Sequence, residues 1–523
     1  MKKIVLFFII SLVLFSCTQN GQKNPENVQA ILDNAGKNKA ELQKVLDVYQ
    51  EPEDSLKLQA AWFLIGNMDE QGYSYFEVAD SNDTEIGFYA LDYPTYDAIT
   101  RAWDSIVEVR GKLHQKKVSF TKDYEIIKAD YLINNIDLAF RVWEENPWSK
   151  HLNFDQFCEY ILPYRSTNEP MEDWRSYFIE KYTWLKDSMK TINDPVEACI
   201  WINNDIKSWF RFDPRFYEHA TDLGFKELIE GKMGRCEDMT NLAIYAMRAN
   251  GIPVMSDFTP YWAKTGNNHA WNAILDNTGK VVIFMGGESN PGIYRLNQAK
   301  AKVYRKTFAK QVNSLAEIKE NWEKAPHYIN RNSIIDVTKE YIPVADVEMN
   351  LEKEVPDSTN YAYICVFNTG EWKAIHWSGI GPDKKVKFTD MGMDIAYLPA
   401  YYVHEKIIPA GKQFILTAEG EVEFNQPDME NRITLKLRST TRRITKNTTD
   451  NIEKVFLTEG ESYELFYWKN KWVSLGVQEA SGKPLIFEDV PSGAMYWLIN
   501  VKPTKDRPER IFTLDTKGEQ VWW

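Results

Sequence analysis

From about Val28 to Met247 apolar side chains recur three and four residues apart, a spacing that collects them on one face of a helix. Ala30, Ile31, Leu42, Val45 and Leu46 carry the pattern, followed by Leu56, Ala60, Phe63 and Leu64; Phe154, Phe157, Cys158, Tyr160 and Ile161 repeat it. This half predicts mainly helices. From Tyr361 the grammar changes to short apolar runs at 361–367, 386–389, 395–402, 414–417, 433–437, 463–467, 472–477 and 495–499. Turn formers such as Thr369-Gly370, Ala410-Gly411, Lys469-Asn470 and Ser492-Gly493 separate them, so the runs predict the strands of β-sandwich modules. Pro343 and Pro356, with acidic residues between them, place a linker over 342–356. The expected class is α+β: a helical region over 28–189, a central domain over 190–342, and β-sandwich modules over 357–445 and 446–523.

Composition narrows the function classes. The 523 residues include 18 Trp and 5 Cys, with 44% hydrophobic positions, a balance that packs rather than stays disordered. A net charge of −13 argues against a nucleic-acid-binding surface spread over the molecule. Five cysteines are too few for a disulfide framework. No His/Cys pair stands at metal-ligand spacing and no phosphate-cradling glycine loop precedes a helix, so no metal or cofactor is expected.

The first residues read as an address. Lys2 and Lys3 precede an apolar run from Ile4 to Phe15, too short to span a bilayer permanently and suited to an export signal. Leu14-Phe15-Ser16-Cys17 resembles the bacterial lipobox, which implies cleavage after residue 16 and lipidation of Cys17. Residues 17–27 then form a polar tether. The expectation is a lipoprotein of a Gram-negative envelope, held in the outer membrane by its acyl chains and, lacking an acidic cluster after Cys17, facing the periplasm.

Candidate chemistry concentrates in Gly234-Arg235-Cys236-Glu237-Asp238. After Cys236, residues Met239, Leu242, Ala243, Ala246 and Met247 share a helical face, and Gly251-Ile252-Pro253 ends it, so Cys236 falls in the first turn of a helix. The helix dipole and free amides there favour a thiolate nucleophile. Cys158 and Cys199 sit within helical patterns and Cys365 in a strand pattern, as small buried hydrophobes. His269 opens a strand, 269–275, which a turn at 276–279 joins to a second strand, 280–285.

Gly234-x-Cys236-x-Asp238, Gly251-Ile252-Pro253 and His269-Ala270-Trp271-Asn272 occur in an order that resembles the bacterial transglutaminase-like superfamily, over roughly residues 190–300. Ile206-x-x-Trp209-Phe210-Arg211-Phe212-Asp213 resembles the element preceding the family's cysteine. The resemblance implies a papain-like domain with Cys236 as nucleophile and His269 as general base, working on amide bonds through an acyl-enzyme. The family's orienting Asp would fall at Met285. Pairing Leu275 with Val281 puts Trp271 opposite Met285 and His269 opposite Gly287, which offers the imidazole no carboxylate. Two readings follow: Glu288 substitutes through a Gly286-Gly287 bulge, or the triad is incomplete. The corresponding functions are a cysteine-dependent peptidase, amidase or deamidase, and a non-catalytic lipoprotein that binds a peptide or glycan in a degenerate cleft.

Overall fold

The computed structural model describes residues 23–441, 455–502 and 508–523. Cys17 and the first 16 residues lie outside them, as does the expected module boundary at 445/446. Among the described residues no helix is long and apolar enough to cross a membrane.

The helical half forms as its periodicity predicts. Helices Glu26–Asn34, Lys39–Val48 and Ser55–Gly66 pack with Ala129–Glu145 around Val28, Leu42, Val45, Leu64, Leu132 and Ile136. One departure lies inside it. Gly72–Ala79 and His114–Lys122 pair antiparallel, with helix Tyr96–Arg110 between them in sequence. Tyr73, Tyr75 and Glu77 alternate with Ser74, Phe76 and Val78 there, a period-two signal within a mostly helical stretch.

The central domain lays helices on a five-stranded sheet whose order is 281–284, 269–275, 254–259, 304–306, 334–336, every pair antiparallel. The hairpin register pairs Leu275 with Val281 and Asn272 with Phe284, as the turn predicts. Helix Cys236–Ala249 packs on this sheet and is buried from Asp238 to its end. Its apolar positions share one core with Trp271, Ile274, Phe284 and Met285. The helix stops where Gly251 takes φ +72°, and a Cβ there would meet Ser149 Oγ at 2.5 Å. Arg175 crosses behind it and donates to the carbonyls of Arg248 (3.0 Å) and Ile161 (2.8 Å), so two helix ends are satisfied by one buried guanidinium.

The C-terminal third is strand-rich. Tyr361–Asn368, Glu371–Gly379, Ile395–Val403, Lys406–Pro409, Phe414–Leu416 and Val422–Phe424 form one sheet, and five strands from Ser462–Trp468 to Gln520–Trp522 form another. The expected linker is itself structured, because Val344–Asn350 pairs with Lys385–Gly392 and buries Val347. The tryptophans are chiefly packing groups: Trp372, Trp468 and Trp497 are buried around Phe367, with Trp472 beside them. Cys158, Cys199 and Cys365 are buried and unbridged.

Candidate active site

Cys236 is the first residue of its helix and, unlike the other three described cysteines, is only partly buried. Three features fix the turn that presents it. Asp238 accepts the Arg235 backbone N–H at 2.8 Å, an N-terminal cap made from the third helical position. Gly234 leaves room for that carboxylate, since a Cβ there would lie 2.6 Å from Asp238 Cβ. The Arg235 guanidinium donates to Asp222 at 2.6 Å, and Lys306 pairs with Glu237 at 2.5 Å. The backbone N–H of Glu237 also donates to the thiol.

The electrostatics differ from what the helix position alone predicts. Burial pushes the Cys236 thiol up, and the adjacent Glu237 carboxylate adds to the shift; Arg235 and the Glu237 N–H oppose both without reversing them. Although burial acts against it, Lys306 holds Glu237 below the usual carboxylate range, so that charge persists at neutral pH. Desolvation of the thiol outweighs the amides and the helix dipole. Burial likewise lowers His269. The resting site is therefore a neutral thiol and a neutral imidazole.

His269 begins strand 269–275, its ring flanked by Trp262 and Trp271 with centroids 5.9 Å away. Its Nε2 lies 2.8 Å from the Tyr294 hydroxyl. Burial raises the Tyr294 phenol, and the charges of Glu288 and Cys236 raise it further, so this hydroxyl stands within electrostatic reach of the nucleophile, the base and the nearest acid. Glu288 itself is exposed; the ring nitrogen is bonded to the phenol and not to that carboxylate. Met285 is buried in the core beneath the cysteine helix. Asn203 clamps the segment after it, accepting from Gly287 N at 2.7 Å and donating to Asn290 at 2.8 Å. Gly286 is required there, because a Cβ would sit 2.5 Å from Ala243 Cβ and 2.6 Å from Met239 O. That tight passage brings Gly286 against the helix and leaves Glu288 at the surface.

A second tyrosine completes the surroundings. Burial, then the Cys236 charge, pushes the Tyr217 phenol up to about 12, which places its hydroxyl beside the thiol. Neither Tyr217 nor Tyr294 was marked by the sequence. Among the described residues no three His, Cys, Asp or Glu side chains converge as a metal site would require.

The arrangement offers a thiol at a helix start, an imidazole whose Nε2 has a partner, and amides in the first turn. A neutral phenol replaces the acid. It can receive Nε2–H and so fix the tautomer that leaves Nδ1 free as base, but it supplies no negative charge to stabilise an imidazolium.

Residues 182–283 match the family model described as the transglutaminase-like superfamily. Among solved structures, a candidate cysteine protease from Cytophaga hutchinsonii aligns at 19% identity and TM-score 0.18, over 22% of this chain and 38% of its own. Red sea bream transglutaminase aligns at 10% identity and TM-score 0.21, over 63% of this chain and 71% of its own. The search of curated proteins returned no match. The segment that holds the cysteine helix and the histidine strand is a transglutaminase-like domain.

Proposed function

We propose that this chain is a cysteine-dependent amide-bond hydrolase, a peptidase, amidase or deamidase, carried on an exported lipoprotein anchored through Cys17 at the periplasmic face of the outer membrane. The observation that carries the enzymatic reading is the 2.8 Å contact between His269 Nε2 and a hydroxyl that also lies within electrostatic reach of Cys236. It holds the imidazole at the nitrogen a base does not use.

As Cys236 Sγ forms its bond to the carbonyl carbon, its proton passes to His269 Nδ1, and the carbonyl electron pair moves onto oxygen, toward the first-turn amides. Collapse breaks the C–N bond, and the imidazolium returns the proton to the departing amine, leaving a thioester. Water, losing its proton to the same imidazole, attacks the thioester and releases a carboxylic acid and the thiol. Tyr294 acts through the imidazole and is a positioning residue.

The competing reading is a binding protein with an inert cleft, favoured by the upward shift of the thiol. Time-dependent labelling by a peptidyl aldehyde library separates the two, since a hemithioacetal needs an attacking thiol at a shaped carbonyl site. The enzyme predicts saturable adducts at Cys236 that vanish in Cys236→Ala and slow in His269→Ala. Adducts on Cys236 that never saturate and ignore His269→Ala would favour the binding reading.

A further inference from the structure

The departure from the helical pattern builds a groove. It is lined by Tyr73, Tyr75 and Glu77 of strand Gly72–Ala79, by Glu85 and Tyr89, and by residues 219–221 with Glu227; the space is about 340 Å³. The end wall is fastened to the strand, because Thr221 Oγ1 accepts from Phe76 N at 3.0 Å and donates to Phe76 O at 3.1 Å. Tyr89 meets the His219 ring edge-on at 5.8 Å.

We infer that this groove is the subsite for a lysine- or arginine-bearing stretch of a peptide substrate whose reacting carbonyl lies at Cys236, an inference that rests on the hydrolase reading. Among the described residues three carboxylates line it, and the one basic side chain in its lining is His219. Arg110, which lines a neighbouring recess with Glu85, reaches toward Asp80 at 3.9 Å, and the nearby lysines are committed elsewhere. Lys116, opposite Glu77 in the ladder, donates to Asp83 O at 2.9 Å; Lys117 lies over the Phe120 ring; Lys122 pairs with Asp69. Glu227 already caps its own helix by accepting from Gly224 N at 2.8 Å, and phenol faces beside the remaining carboxylates suit a cation with a long apolar stem, which lies along the rings and delivers its charge to the acids. Tyr75 and Tyr89 are exposed for that contact.

Connectivity sets the distance from the chemistry. Tyr217, beside the thiol, is two residues from His219 in the groove wall, so their Cα atoms lie within about 7 Å. Adding the full reach of the Tyr217 side chain and its contact with the thiol keeps the His219 end of the groove within about 17 Å of Cys236, which an extended peptide crosses in about five residues or fewer at ~3.3 Å each.

The test is fluorescence anisotropy of dye-labelled hexalysine, hexaglutamate and a Gly/Ser hexapeptide with the full chain and its Cys236→Ala variant. Hexalysine should bind both alike and the other two should not. Glu77→Gln/Glu85→Gln should weaken hexalysine at least tenfold. Asp47→Asn/Asp130→Asn, the same charge change on distant helices, should leave it within twofold. Tyr89→Ala, an exposed position, should weaken it with no charge change. Equal losses in the two double variants, or hexaglutamate binding as well as hexalysine, would overturn the inference. Groove-specific hexalysine binding to a chain whose Cys236 never forms saturable aldehyde adducts would instead sink the hydrolase and leave a binding groove for basic peptides.

Discussion

Tyr294→Phe removes one oxygen, 2.8 Å from His269 Nε2, and keeps the ring. A neutral hydrogen bond contributes about 0.5–1.5 kcal/mol net, and about 1.4 kcal/mol is a factor of ten, so the variant should lose about two- to tenfold in any step where the imidazole moves a proton. A carboxylate in that role is worth up to about 10⁴-fold, so the size of the loss tells a phenol from a charged orienter. The assay is the rate of iodoacetamide alkylation of Cys236 at pH 7, read by peptide mass spectrometry on the full chain, with Tyr294→Phe, His269→Ala and the double variant compared. Because the phenol acts through the ring, the double variant should be no slower than His269→Ala alone. Additive losses, or no loss in Tyr294→Phe, would refute the assignment of Tyr294 as the imidazole's positioning partner.

Four further outcomes follow from the same site and its support. Alkylation of Cys236 should rise with pH through a midpoint above the ordinary thiol value of about 8.5, and Glu237→Gln should lower that midpoint by removing the adjacent charge; a midpoint near 6 would contradict the burial argument. Asp238 is raised by burial to about 7, so the native state holds a proton that the unfolded chain has released above pH 4; stability should fall as pH rises from about 4 to 7, and Asp238→Asn should flatten that slope in thermal melts. Gly286→Ala forces a Cβ into Ala243 and the Met239 carbonyl and should cost more than 1–3 kcal/mol in urea titration, whereas Gly279→Ala, in open space at φ +80°, should cost about 1 kcal/mol. Asp257→Ala removes the acceptor of two Arg305 N–H groups, at 2.9 and 2.8 Å, and of the Tyr341 hydroxyl, leaving the buried guanidinium only Glu340 at 2.9 Å, and should cost about 1–3 kcal/mol by the same titration.

Elements whose cause is local were legible in the chain. The hairpin register follows from the turn at 276–279 and the alternation on either side, and pairing Leu275 with Val281 needed nothing else. The cysteine helix begins at Cys236 and ends before Gly251 because periodicity, a capping acid and a glycine in the left-handed region all lie within twenty residues. The sheet at 72–79 and 114–122 was hidden for the opposite reason. Its two strands are separated by a fifteen-residue helix, so no single window contains the pairing. The strand at 344–350 was read as a linker because its partner lies about 40 residues on.

The site divides along the same line. Cys236 and His269 belong to short motifs, whereas the partner of the imidazole is chosen by where a loop passes. The stretch 285–294 enters the helix–sheet seam at Gly286, where only a hydrogen fits, is turned by Asn203, and returns with Tyr294 over the imidazole. Spacing from His269 points to Met285, and a count of acids points to Glu288; neither count can register the close approach that buries one and leaves the other in solvent. The substitution of phenol for carboxylate then has a chemical consequence at the other end of the site. Among the described residues no anion is bonded to the ring to stabilise an imidazolium against the burial that lowers His269, and the thiol, raised by burial and by Glu237, keeps its proton. Such a pair attacks an amide only when a bound carbonyl draws the proton transfer and the C–S bond together. The rate must then depend on how firmly the rest of the substrate is held, and Met285→Asp, which places a carboxylate under the core instead of beside the ring, should destabilise the fold without raising it.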